Sequence, residues 1–153
     1  MEGIGQLKQA AEVKRRESKV MSKAYSLTLS TLAPANFFLV VGAALLSLAA
    51  GATILLENNV LTKTQSGLLA LMSGALTIIH SKLRCEPYQA ECKKLSGFYR
   101  GIAEDYANLQ FIDDVDEFRK RFSALNDQLS AVVKGSSDVP FDWTITNARK
   151  RVE

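Results

Sequence analysis

From Ala24 to Leu56 the chain carries no charged residue, and positions 37–56 read FFLVVGAALLSLAAGATILL. Twenty helical residues at about 1.5 Å each cover a hydrocarbon core of about 30 Å, so this run reads as a transmembrane helix. A cleaved signal peptide is the competing reading. It fits poorly, because the run begins more than thirty residues in and follows a long charged segment, not a short basic one. Whole-chain averages conceal the run. A chain of 153 residues that is 47% hydrophobic and 23% charged, with a mean hydropathy of +0.01, has the composition of a small soluble domain. Yet of its 19 Lys and Arg and 16 Asp and Glu, only Glu57 and Lys63 fall between Ala24 and Ser81.

A second uncharged run, TQSGLLALMSGALTIIHS at 64–81, has 18 residues and follows the polar loop ENNVLTK. Beside an unambiguous first span, it reads as the returning arm of a helical hairpin. Six Lys and Arg precede residue 37, one (Lys63) sits in the loop and twelve follow Ser81. Basic flanks stay on the cytoplasmic side, so both termini are expected in the cytoplasm and the loop outside. Pro34 suits a helix start or kink, which predicts a bent approach to a first span entering near Leu32.

Beyond Pro87, which breaks or restarts a helix, Tyr88, Cys92, Leu95, Tyr99, Ile102, Tyr106 and Leu109 recur at alternating spacings of four and three. Asp113, Asp114 and Asp116 suit the cap and first turn of another helix. Its seam is Val115, Phe118, Phe122, Leu125, Leu129 and Val132, and it stops near Lys134-Gly135-Ser136-Ser137. Such seams pack antiparallel within one chain or between subunits. The expected fold is an all-α membrane protein forming one domain over 1–153. It comprises a basic N-terminal helix (1–31), a transmembrane hairpin (32–56 and 65–82), a cytoplasmic arm of two helices (83–134) and a short tail (135–153). In that tail Phe141 and Trp143 are expected to be packing anchors.

The residues speak against catalysis. One His (His80) and two Cys (Cys85, Cys92), with no Cys-x-x-Cys pair, leave too few ligands for a structural zinc site. There is no Gly-rich phosphate loop and no plausible Ser/His/Asp set. No catalytic residue, metal or cofactor is expected, and the thiols read as reduced. The basic block Lys14, Arg15, Arg16, Lys19 and Lys23 fits two roles. It can touch anionic headgroups, or it can receive a phosphate-bearing ligand.

Two spans cannot enclose a conduction path, so transport would need several copies. Ala43, Ser47 and Gly51 in the first span and Ser66, Ala70 and Gly74 in the second make small-xxx-small rows that suit close helix approach, within the hairpin or to a neighbour. Ser66, Ser73, Thr77, His80 and Arg84 share one helical face. Polar groups at membrane depth face protein or water, so this stripe, or Ser47 and Thr53 on the first span, is a candidate pore lining. Ser and Thr can equally bond carbonyls of their own helix.

The basic run VKRRESKVMSKAY at 13–25, the small-residue-rich first span and the stretch HSKLRCEPYQAECKKLSGFYRGIAEDY from His80 resemble the SLATT family. These are two-transmembrane effector domains of bacterial conflict systems, found beside nucleotide-signal synthases and sensors. Pro87 departs from the family, which usually runs on as helix there. The resemblance implies a homo-oligomeric pore, a tetramer for instance, in the bacterial inner membrane. Such a pore damages the host membrane during anti-phage defence and is gated by a nucleotide or oligonucleotide signal from a partner nucleotidyltransferase. Arg15, Arg16, Lys19, Lys93, Lys94 and Arg100 are then the candidate signal-binding cations. The competing expectation is a non-conducting membrane tether that recruits a cytoplasmic partner through its helices, and an ungated lesion former lies between the two.

Overall fold

The structure is a computed structural model that describes residues 3–55, 62–82 and 85–152, without the side chains of residues 53–55, 63, 82 and 85. It is helical, with no strand among the described residues. The helices are α1 (Ile4–Leu55), α2 (Lys63–Lys82), α3 (Cys85–Asn108), α4 (Val115–Gly135) and α5 (Asp142–Val152), with a 3-10 turn at Leu109–Phe111. Two compact units result. One is a hairpin unit, Ser30–Gln89, and the other is a bundle unit made of Met1–Leu29 with Ala90–Glu153.

The bundle unit grows from the predicted seams. Cys92, Leu95, Tyr99, Ile102 and Tyr106 on α3 and Leu109 in the 3-10 turn are all buried, as are Phe118 and Leu125 on α4. Ala11 of α1 joins Ile102, Tyr106, Leu109, Phe118 and Leu125 in one core, with Leu7, Phe98, Ile112 and Phe122 packed against it. Burying each large side chain contributes about 1.5–3 kcal/mol. Cross-links set direction. Lys8 and Gln110 exchange bonds, Lys8 Nζ to the Gln110 carbonyl at 3.0 Å and Gln110 Nε2 to the Lys8 carbonyl at 3.0 Å. Ser22 and Ser96 do the same at 2.9 and 3.0 Å. Low numbers pair with high, so α3 runs antiparallel to α1. The Asp114 side chain caps α4, accepting from the amides of Asp116 and Glu117 at 2.8 and 2.9 Å.

Three features depart from the sequence reading. First, α1 passes Pro34 unbroken. An internal proline removes one helical hydrogen bond, but the preceding turn carries Ser30 and Thr31, residues of the kind that re-satisfy freed backbone groups. Second, the expected tail is the helix α5, with Asp142 in its first turn and Arg149, Lys150 and Arg151 in its last, each complementing the helix dipole. Third, Phe141 and Trp143 do not anchor that segment. They stack on each other at the surface, ring centroids 6.5 Å apart. The anchors are the fully buried Thr144 and Ala148, one turn apart. The Thr144 hydroxyl donates to the Phe141 carbonyl at 2.7 Å, so Thr28 supplies the proton in the 3.0 Å Thr28–Thr144 bond.

In the hairpin unit, Ser73 Oγ donates to the Ala43 carbonyl at 2.7 Å and His80 Nε2 meets Asn36 Oδ1 at 2.7 Å. The pairing is again antiparallel. Buried and half-buried residues at spacings of three and four mark the seam: Asn36, Leu39, Ala43, Leu46 and Ala50 on α1, beside which Val41, Gly42 and Gly51 are also half-buried, and Ser66, Leu69, Ser73, Leu76 and His80 on α2. Small residues thus alternate with Leu or a polar residue along both sides of one seam. The other large apolar side chains point away from it: Phe38 is 72% exposed, Leu48 69% and Leu71 74%. Both helices are long and apolar enough to cross a membrane. Where α3 begins, Pro87 lies in its first turn, where a missing amide costs nothing.

Candidate functional site

The hairpin unit contains a groove of about 410 Å³ that brings together Ser47, Ser73, Thr77 and His80, four of the residues singled out as pore-lining. Its walls are Leu39, Val40, Ala43 and Ala44, and Glu86 stands at its edge. The hydroxyls are spoken for in different ways. Ser73 is buried against the Ala43 carbonyl, and Thr77 Oγ1 donates to the Ser73 carbonyl of its own helix at 3.0 Å. Ser66 is buried in the seam, away from the groove. His80 is held by Asn36, and with Oδ1 accepting, Nε2 carries the proton. Ser47 lies on the exposed side of α1. The Thr53 side chain, Arg84 and most of the hairpin loop (56–61) lie outside the described residues. Of the two small-residue rows, Ala43 and Ser66 are buried and Gly51 is half-buried, while Ser47, Ala70 and Gly74 are exposed.

A second concave site lies wholly in the bundle unit. Lys19 and Lys23, one turn apart on α1, face Arg100 and Glu104, one turn apart on α3, around a cleft of about 450 Å³. Ser22, Ser26, Ser96, Ala103 and Val152 complete it. The reciprocal Ser22–Ser96 bonds hold the two helices together at this level, which fixes the spacing of the cations above them. Three cations stand against one carboxylate, and among the described residues none of the four makes an ion pair. Cations that outnumber the carboxylate and make no ion pair with it, close to serine hydroxyls, form a natural receiver for phosphate oxygens.

The six cations expected to bind a signal are therefore split. Lys19 and Arg100 meet in the cleft. Arg15 is tied to Glu12 by two bonds of 2.6 Å, and Arg16 reaches the same carboxylate at 3.1 Å. The Arg15 guanidinium holds the Glu12 carboxyl below its ordinary range, against some opposition from partial burial, and Glu12 in turn raises the Arg15 pKa. Arg16 instead lines a groove of about 490 Å³ with Val13, Val20, Met21, Ile145 and Arg149. Lys93 and Lys94 are exposed, and Lys94 pairs with Glu91 at 3.4 Å. Lys23, part of the basic block read as able to receive a phosphate-bearing ligand, joins Lys19 in the cleft, one helical turn away, whereas sequence reasoning missed Ser26. It also missed Asn36, the partner of His80, for which no local pattern gives a signal.

Among the described residues no group of His, Cys, Asp and Glu is arranged to hold a metal ion. No protein-family model matches the chain, and neither a curated protein nor a solved structure matches it.

Proposed function

We propose that this chain is a transmembrane effector resembling the SLATT family, which assembles into a homo-oligomeric pore in the bacterial inner membrane with both termini in the cytoplasm. The observation that carries the membrane reading is the inside-out character of the hairpin. Small and polar side chains alternate with leucines in the seam, while Phe37, Phe38, Leu45, Leu48, Leu71 and Ile78 point outward. In water such a surface would be a severe aggregation liability, and in lipid it is the expected one. A pore needs several copies, and the exposed Ala70–Gly74 side of α2 and the open groove at Ser47 and Thr77 supply a small-residue contact face and a polar path.

Gating is assigned to the Lys19, Lys23 and Arg100 cleft, whose size and charge suit a nucleotide or short oligonucleotide made by a partner nucleotidyltransferase. In this reading the cell loses its membrane potential when phage infection triggers the signal. A second reading, a non-conducting tether, draws support from a particular fact. Ser73, Thr77 and His80 already have hydrogen-bond partners inside the hairpin, so they need no water-filled path to be satisfied.

Ion flux from liposomes holding the purified chain separates the two. The expected result is flux altered by short nucleotides or oligonucleotides on the side bearing the termini. Thr77→Leu should abolish it while the protein still floats with the vesicles. Absence of flux under every condition favours the tether, and flux indifferent to all nucleotides favours an ungated lesion.

A further inference from the structure

The cleft that holds Lys19, Lys23 and Arg100 has a neighbour of different chemistry. The groove of about 490 Å³ between α1 and α5 lies wholly in the bundle unit, and its apolar lining is Val13, Val20, Met21, Ile145 and Val152. Val13 is 50% exposed there. Arg16, Glu17 and Arg149 complete the groove. Glu17 pairs with Lys14 at 2.8 Å and Arg16 reaches Glu12 through its Nε, whereas Arg149 makes no ion pair among the described residues. Groove and cleft adjoin. Val152 lines both, and Arg16, Lys19 and Lys23 follow one another on α1 at steps of three and four, side by side on its surface. Each has a volume within the range of small-molecule sites.

We propose that this groove receives the base of a nucleotide whose phosphates lie in the cleft. The inference rests on the reading of the cleft as a phosphate receiver. A flat heterocycle suits the groove better than an acyl chain, the other apolar body that phosphates commonly carry. Arg16 bonds Glu12 at 3.1 Å in the plane of its guanidinium, which leaves a flat face for stacking, and the unpaired Arg149 offers another. A base also brings ring amino groups that the Glu17 carboxylate can accept from. An acyl chain would take water from these three charged groups and give them no partner.

Tripolyphosphate and a ribonucleoside triphosphate carry the same phosphates and differ by the nucleoside, so the ratio of their Kd values reports the groove. The full chain is placed in phosphatidylcholine nanodiscs, open to ligand on both faces. It is titrated by calorimetry, without divalent cations, with tripolyphosphate and with ATP, GTP, CTP and UTP, and empty discs are subtracted. At least one of the four nucleotides should bind about tenfold more tightly than tripolyphosphate. Arg149→Gln and Val13→Asn, both at exposed positions, should cut that ratio about threefold. Lys23→Gln should weaken nucleotide and tripolyphosphate together and leave the ratio unchanged. Equal affinity for all of these ligands overturns the inference and leaves the cleft as a phosphate site. A ratio that neither groove variant moves also overturns it, by placing the base elsewhere. Tighter binding of octyl phosphate than of AMP assigns the groove to an acyl chain and overturns it as well. If no ligand binds a chain that circular dichroism shows to be folded, the phosphate reading of the cleft falls and this inference with it.

Discussion

Ser18 is nearly fully buried in the bundle unit, and its hydroxyl oxygen is the buried side-chain polar atom that lacks a partner among the described residues. An unsatisfied buried hydroxyl costs about 1–3 kcal/mol of lost hydration, and alanine is also the better helix former. Ser18→Ala should therefore stabilise the protein by about 1 kcal/mol, raising the thermal midpoint followed by near-UV circular dichroism by about 2–4 °C. An unchanged or lower midpoint would show that the hydroxyl contributes favourably. Thr28 and Thr144 show the contrasting arrangement, two buried hydroxyls that satisfy each other and a carbonyl. Neither role was legible in the sequence. Trp143 and Phe141 look like anchors because they are large, whereas the segment docks through Thr144 and Ala148, whose size gives hydropathy patterns almost nothing to register.

Among the elements, α4 was the most legible. Its acidic cap, its three-and-four seam and its Lys-Gly stop all coincide with the helix observed from Val115 to Gly135. The cap is also the most exposed point of weakness. Asp114→Ala should cost about 1 kcal/mol by orphaning the amides of Asp116 and Glu117, visible as a lower urea midpoint with an unchanged slope. A midpoint within error of the parent would mean water caps the helix equally well. The seam of α3 was legible for the same reason, since polar residues separate its apolar ones. The hairpin seam was not. When every face of a helix is apolar, the helical period disappears from the hydropathy signal, and what marks the buried face is side-chain size. The alternation of Ala43, Leu46 and Ala50 against Ser66, Leu69 and Ser73 becomes visible only once the two helices are paired. Ser66, Ser73 and His80 of the hydroxyl stripe turn toward α1 while Thr77 is exposed, a division the period alone does not give.

At the scale of the whole molecule, burial is distributed unevenly. The stretch from Leu95 on α3 to Leu109 in the 3-10 turn is closed in by α1 and α4, whereas only Thr144 and Ala148 of α5 are fully covered. Local opening follows the density of buried contacts. Hydrogen exchange on the lipid-reconstituted chain should therefore find the amides of α5 exchanging at least about tenfold faster than those of Ile102 to Leu109. Equal protection would indicate that the two open as one cooperative block. The concave sites were partly legible, since Lys19 and Arg100 were recognised as cations but their convergence depends on the antiparallel register of α1 and α3, which no single-chain pattern specifies. That register has a further consequence, in the order of events during synthesis. The bundle unit is built from two separated stretches, Met1–Leu29 and Ala90–Glu153, so Ala11 waits for Leu125 to be made. On a ribosome adding about 5–20 residues per second, the interval is on the order of 5 to 20 s. The entire hairpin emerges within it. The apolar hairpin is thus complete while residues 3–29 still lack their partners, and the bundle closes only after it.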